Sequence, residues 1–86
     1  MHWLTRWWRW SYPDDRLVFL ARQAVAADAR LPDLTRVLIT CTKGSIRLTG
    51  RVPQAQDRAR IEADIRRALH TAQLPYRRLV NQLYVR

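Results

Sequence analysis

Between Ile46 and Pro53 the chain reads I-R-L-T-G-R-V-P, with apolar Ile46, Leu48 and Val52 alternating with Arg47, Thr49 and Arg51. That period of two predicts a strand with one buried face. Gly50 shares the buried parity; a missing side chain there lets another element approach the backbone closely or marks a bulge. Pro53 ends the strand and can open a helix. Upstream, Thr42-Lys43-Gly44-Ser45 predicts a tight turn, with Gly44 free to take positive φ. Arg36 to Thr42 forms the strand before it, Val37, Ile39 and Cys41 pointing one way and Arg36, Leu38, Thr40 and Thr42 the other. The middle of the chain is therefore a hairpin that leads into a helix.

Helical spacing flanks this hairpin. Ser11 followed by Asp14 suggests a capping box, with Pro13 in the first turn and Asp14 and Asp15 complementing the helix dipole. A first helix is predicted from about Asp14 to Arg30, its buried stripe made by Leu17, Leu20, Ala21, Ala24, Ala27 and Leu31. It ends at Leu31-Pro32, because proline disfavours helix in the residue before it. A second helix is predicted from about Gln54 to Ala72, with Ile61, Ile65, Ala68, Leu69 and Ala72 inward and the charges of Arg58, Glu62 and Arg66 four apart on its outer side. Beyond Pro75, Leu79 to Val85 reads as a last strand with Leu79, Leu83 and Val85 inward. Asn81 shares that parity and is expected to be a satisfied polar residue.

Length and charge narrow the picture. With 86 residues the chain has room for one small domain, and a hydrophobic share of 48% fits a folded one. The net charge of +9 calls for an anionic partner: nucleic acid, anionic lipid or an acidic protein surface. Lys43 is the only lysine, and arginine both suits phosphate recognition and follows from genomic base composition. Cys41 stands alone, so it makes no internal disulfide, and it reads as a small buried hydrophobe. His2 and His70 are isolated, the carboxylates fall on helix surfaces or caps, and neither a metal-ligand spacing nor a glycine-rich phosphate loop occurs. No enzyme, metal or cofactor is expected. No run is long and apolar enough to span a bilayer, and a secretory signal is not expected because Arg6 and Arg9 interrupt the first ten residues.

Residues 1–12 differ from the rest and form a tail ahead of a domain at 13–86. All four tryptophans lie in this tail, Trp3, Trp7, Trp8 and Trp10, together with Arg6 and Arg9. Twelve helical residues reach about 18 Å, so the tail can lie in a membrane interface but not cross one. Tryptophan rings at headgroup depth and arginines on phosphates suit that place. Two other readings stay open: docking on a partner, and folding back as a lid.

The order helix, strand, strand, helix, strand, with Leu48-Thr49-Gly50-Arg51-Val52 in the middle and Val80-Asn81-Gln82-Leu83 near the end, resembles the BON domain over roughly residues 15 to 86. Asp28-Ala29-Arg30-Leu31 closing the first helix and Gly44 at the turn complete the likeness. A longer stretch, His70 to Arg78, stands where that family has a short Gly-Val link. The resemblance implies an α+β fold, a three-stranded sheet with two helices on one face. It also implies a non-enzymatic role in binding phospholipid or a protein partner.

With both helices on one face, the other face would carry Arg36, Leu38, Thr40, Arg47, Thr49, Arg51, Val80, Gln82, Tyr84 and Arg86, with Arg77 and Arg78 extending it. The expected function is a peripheral membrane-associated module, tail in the interface and arginines on anionic phospholipid, or a small accessory subunit of a membrane protein complex. The alternative is a nucleic-acid-binding domain. Against it, the aromatics lie in the tail apart from Tyr84, and the two glycines cannot form a G-x-x-G clamp.

Overall fold

The computed structural model describes residues 11–31 and 36–86. Their order is helix α1 (Asp14–Ala26), strands β1 (Val37–Thr42) and β2 (Ser45–Val52), helix α2 (Ala55–Thr71), and strands β3 (Arg78–Asn81) and β4 (Tyr84–Val85). The fold is α+β, as the hydrophobic pattern predicts. β2 is the central strand, antiparallel to β1 and parallel to β3 and β4. A parallel neighbour needs a long crossover, and α2 supplies it.

The sheet has four strands rather than three because the predicted last strand is broken. Ser45 lies opposite Arg78 and Arg51 opposite Tyr84, so β3 and β4 keep one register along β2. Asn81 makes the break: its Oδ1 accepts the Leu83 N–H at 3.1 Å, while Gln82 N–H reaches the Leu48 carbonyl at 2.8 Å. Its Nδ2 donates to the Arg58 carbonyl and to Glu62, so the expectation of a satisfied polar residue holds. Val85 keeps the inward parity but is 46% exposed, since it pairs with Val52 at the end of the sheet where α2 is only beginning.

Leu17, Ala21 and Val25 of α1, Ile39 of β1, Ile46, Leu48 and Val52 of β2, Ile61, Ile65 and Leu69 of α2, and Leu83 form one buried cluster. All the strand members have the same parity, so both helices cover one face and the other stays open. Each of the larger side chains contributes about 1.5–3 kcal/mol by leaving water. α1 stops at Ala26, four residues before the predicted end, and Val25 takes the place expected for Ala27. The cause is Asp28: its carboxylate accepts the Arg30 backbone N–H at 3.0 Å and the Arg30 guanidinium at 3.0 and 3.2 Å, a local alternative to helical bonding.

Both helices start within a residue of the predicted positions, at Asp14 and Ala55, but their caps differ in detail. Pro13 occupies the N-cap of α1 without a side-chain cap, and Leu17 N–H reaches the Pro13 carbonyl at 2.9 Å. The predicted Ser11–Asp14 box is not formed, because Asp14 is used elsewhere. Gln54, not Pro53, caps α2, in a reciprocal box with Asp57.

The hairpin turn is where the chain is most tightly tied together. Lys43 and Gly44 both have positive φ, +50° and +80°, the two-residue turn whose twist matches the strands. Asp14 reaches across from α1 and accepts the N–H groups of Lys43 and Gly44, each at 2.8 Å, and the Cys41 thiol at 3.3 Å. Burial pushes the Asp14 carboxyl up, but the amides of Gly44 and Lys43 and the Cys41 thiol outweigh it, so its pKa lies below the ordinary value. The same environment pushes the Cys41 thiol up to about 11, through burial first and then the Asp14 carboxylate. A thiol that stays protonated at neutral pH is a poor nucleophile. Tyr12 lays its ring where a Gly44 side chain would stand, and the Gly44 carbonyl accepts Arg77 N–H at 2.7 Å.

A second carboxylate is missed by reading α2 as a surface ladder. Asp64 is 8% exposed, with Oδ2 buried and unpartnered, and it meets Asp28, whose side chain is 7% exposed. Its position three residues after Ile61, on the apolar stripe, is the sequence signal for burial. Burial, then the Asp28 carboxyl, raises the Asp64 pKa, while Arg30 holds Asp28 low. A raised folded pKa gives stability that is complete below the unfolded value of 3.8 and is lost as pH rises through the folded value. Asp64→Asn should therefore melt higher than the wild type at pH 7, with the difference shrinking as pH falls toward 4. Thermal melts of both proteins from pH 4 to 8 check this; a constant difference contradicts it.

Candidate binding surface on the open sheet face

The register orders the open face into rows across β1, β2 and the broken last strand. Thr42, Ser45 and Arg78 stand at the hairpin end, followed by Thr40, Arg47 and Val80. Leu38 pairs with Thr49, beside which Gln82 follows in sequence. At the far end Arg51 pairs with Tyr84, and Arg51 N–H reaches the Arg36 carbonyl at 3.3 Å. Arg86 closes this end, its N–H on the Val52 carbonyl at 2.9 Å. Leu38 is 53% exposed and Tyr84 49%, so two large apolar groups stand in water among the arginines.

All five residues of the predicted basic face, Arg36, Arg47, Arg51, Tyr84 and Arg86, thus share one surface, but not one cluster. Arg36, Arg51, Tyr84 and Arg86 gather at the far end, while Arg47 lies with Arg78 toward the hairpin. No carboxylate stands on this face among the described residues. The ion pairs among those residues, Asp28–Arg30, Glu62–Arg66 and Asp64–Arg67, all lie on the helical side. Arginines on a shared surface, with no ion-pair partner among the described residues, raise its potential toward anions. The tail residues Trp3, Arg6, Trp7, Trp8, Arg9 and Trp10 lie outside the described residues.

The helical side offers less. A shallow depression of about 560 Å³ runs along α2 past Ala55, Ala59 and Ala63 to Asn81. Glu62 accepts from Arg66 at 3.2 Å and from Asn81 at 3.2 Å, and Arg66 also donates to the Tyr76 hydroxyl at 3.1 Å, while the buried Nε of Arg58 has no partner among the described residues. So the predicted outer charge ladder is partly a tie between α2 and β3. Among the described residues no group of three or more His, Cys, Asp or Glu side chains could hold a metal ion, and no helix is long and apolar enough to cross a membrane. No protein-family model matches the chain, and neither curated proteins nor solved structures give a significant match.

Proposed function

We propose that this chain is a non-enzymatic, BON-like binding module that associates peripherally with an anionic membrane surface or a membrane protein complex, as a small accessory subunit. The observation that carries the reading is the open sheet face: Arg36, Arg47, Arg51, Arg78 and Arg86 with exposed Leu38 and Tyr84, and no carboxylate among the described residues. Three or four arginines close to a membrane contribute about 1 kcal/mol each, which alone gives a millimolar affinity. The tryptophan-rich tail is the second signal that stable anchoring needs.

Because every tryptophan lies in the tail, tryptophan emission reports on the tail alone. Titration with anionic vesicles should shift the emission to the blue, reversibly with salt, and neutral vesicles should shift it less. Red emission that ignores both removes the membrane reading, and emission already blue without vesicles turns it toward a protein partner. Tyr84, half-exposed and paired with Arg51, supports a second reading, in which bases stack on the ring and phosphates meet the arginines. Steeply salt-dependent, lipid-independent affinity for a single-stranded oligonucleotide would favour it.

A further inference from the structure

Tyr12 and the far-end arginines lie at opposite ends of the sheet. Tyr12, through which the tail joins the domain, seats its ring on Gly44, and Asp14 holds the amides of Lys43 and Gly44. The described chain therefore begins beside the hairpin. Arg36, Arg51 and Arg86 stand at the other end of β2, about 20 Å away at some 3.3 Å per residue. Around the root of the tail stand three different cations. Lys43 is exposed at the tip of the turn, Arg77 bonds its N–H to the Gly44 carbonyl at 2.7 Å, and Arg78 follows it at the start of β3. Asp14 keeps its negative charge here, spread over the two amides and the thiol that its oxygens accept, and Asp15 on the first turn of α1 is exposed, so three cations stand against two carboxylates at this end.

Building on the membrane reading above, we propose that this hairpin end is the surface that meets the phosphates of anionic lipid, with Lys43, Arg77 and Arg78 as its contacts. A tail seated in the interface brings its own root toward the headgroups, and with it these three side chains. All three are long enough to reach phosphate oxygens from an exposed backbone. The domain then stands on its hairpin end, its strands inclined to the membrane. Of the open face, the hairpin half with Arg47 and Arg78 then lies nearest the headgroups, and Arg36, Arg51 and Arg86 add to its attraction from farther off.

The test compares two triple variants of equal charge: Lys43→Asn/Arg77→Gln/Arg78→Gln at the hairpin, and Arg36→Gln/Arg51→Gln/Arg86→Gln at the far end. Asn is used at 43 because it tolerates positive φ. Partitioning to vesicles of phosphatidylglycerol and phosphatidylcholine is measured by sedimentation, with pure phosphatidylcholine as the neutral control, after melts show both variants folded. The hairpin triple should bind at least about tenfold more weakly than the wild type and at least about threefold more weakly than the far-end triple. Equal losses, the result for a sheet lying flat, or a larger loss at the far end overturn the assignment while leaving the membrane reading in place. A wild-type chain that ignores anionic vesicles overturns both. Should a triple variant not fold, the single variants Arg77→Gln and Arg51→Gln give the same comparison.

Discussion

Gly50→Ala is expected to leave little folded protein at 37 °C. A Cβ at this position would stand 1.9 Å from the Arg36 carbonyl oxygen and 3.0 Å from its carbon, a clash with backbone that no rotamer change relieves. Gly50 also has φ of +111°, a region nearly closed to other residues. Strain and overpacking cost about 1–3 kcal/mol each, so about 3 kcal/mol or more is lost from a domain whose size allows little surplus. For a chain of this length that lowers the melting temperature by roughly 12–24 °C. Circular dichroism melts of the wild type and Gly50→Ala settle the matter. A shift under about 4 °C would show that the start of β1 can swing away, and that β1 and β2 do not depend on this close approach. The Arg51 N–H to Arg36 carbonyl bond is the local marker, and its amide should exchange far faster in the variant.

The close approach at Gly50 was half-visible in the sequence. A glycine on the buried parity of a strand announces an approaching neighbour but not which one; the neighbour is the entry to β1, not a helix. The hairpin was fully legible, because its causes are local: alternation on both sides and a Lys43-Gly44 pair that accepts positive φ. The α-β-β-α-β order was legible for the same reason, each element carrying its own period. Local reading failed where a side chain chose a distant partner or a competing one. Asp14 has the spacing of a capping-box residue but binds amides 29 and 30 positions away, and Asp28 ends α1 early by bonding to Arg30. The surface shows the same division. Parity alone put Arg36, Arg47, Arg51, Tyr84 and Arg86 on one face. Only the register, antiparallel for β1 and parallel for β3 and β4, separates Arg47 from the others, and the contact of Tyr12 with Gly44 sets that residue at the opposite end from Arg36, Arg51 and Arg86.

That placement depends on Asp14, and replacing it should loosen the domain where the tail begins. Its carboxylate accepts two backbone amides at 2.8 Å and the Cys41 thiol. Hydrogen bonds to a charged acceptor contribute about 1.5–3 kcal/mol each in favourable surroundings. Asp14 is only partly buried, so the two together are discounted to about 2 kcal/mol. Asp14→Ala should therefore melt about 8–16 °C lower than the wild type. Asp14→Asn keeps one acceptor oxygen and should fall between them, which separates lost hydrogen bonds from lost charge. The pH dependence gives an independent check. A carboxyl whose folded pKa is depressed contributes stability that is present above the unfolded value of 3.8 and is lost as pH falls through the lower folded value. The wild-type advantage over Asp14→Ala should thus be full at pH 6 and shrink below about pH 4. An advantage that persists unchanged at pH 2 would mean that the neutral carboxyl accepts the amides as well as the carboxylate does, so that hydrogen bonding without charge holds α1 to the hairpin. If the carboxylate is the tie, removing it also frees the hairpin it holds: the Lys43 and Gly44 amides lose their acceptor and should exchange with solvent far faster in Asp14→Ala than the loss of folded protein explains.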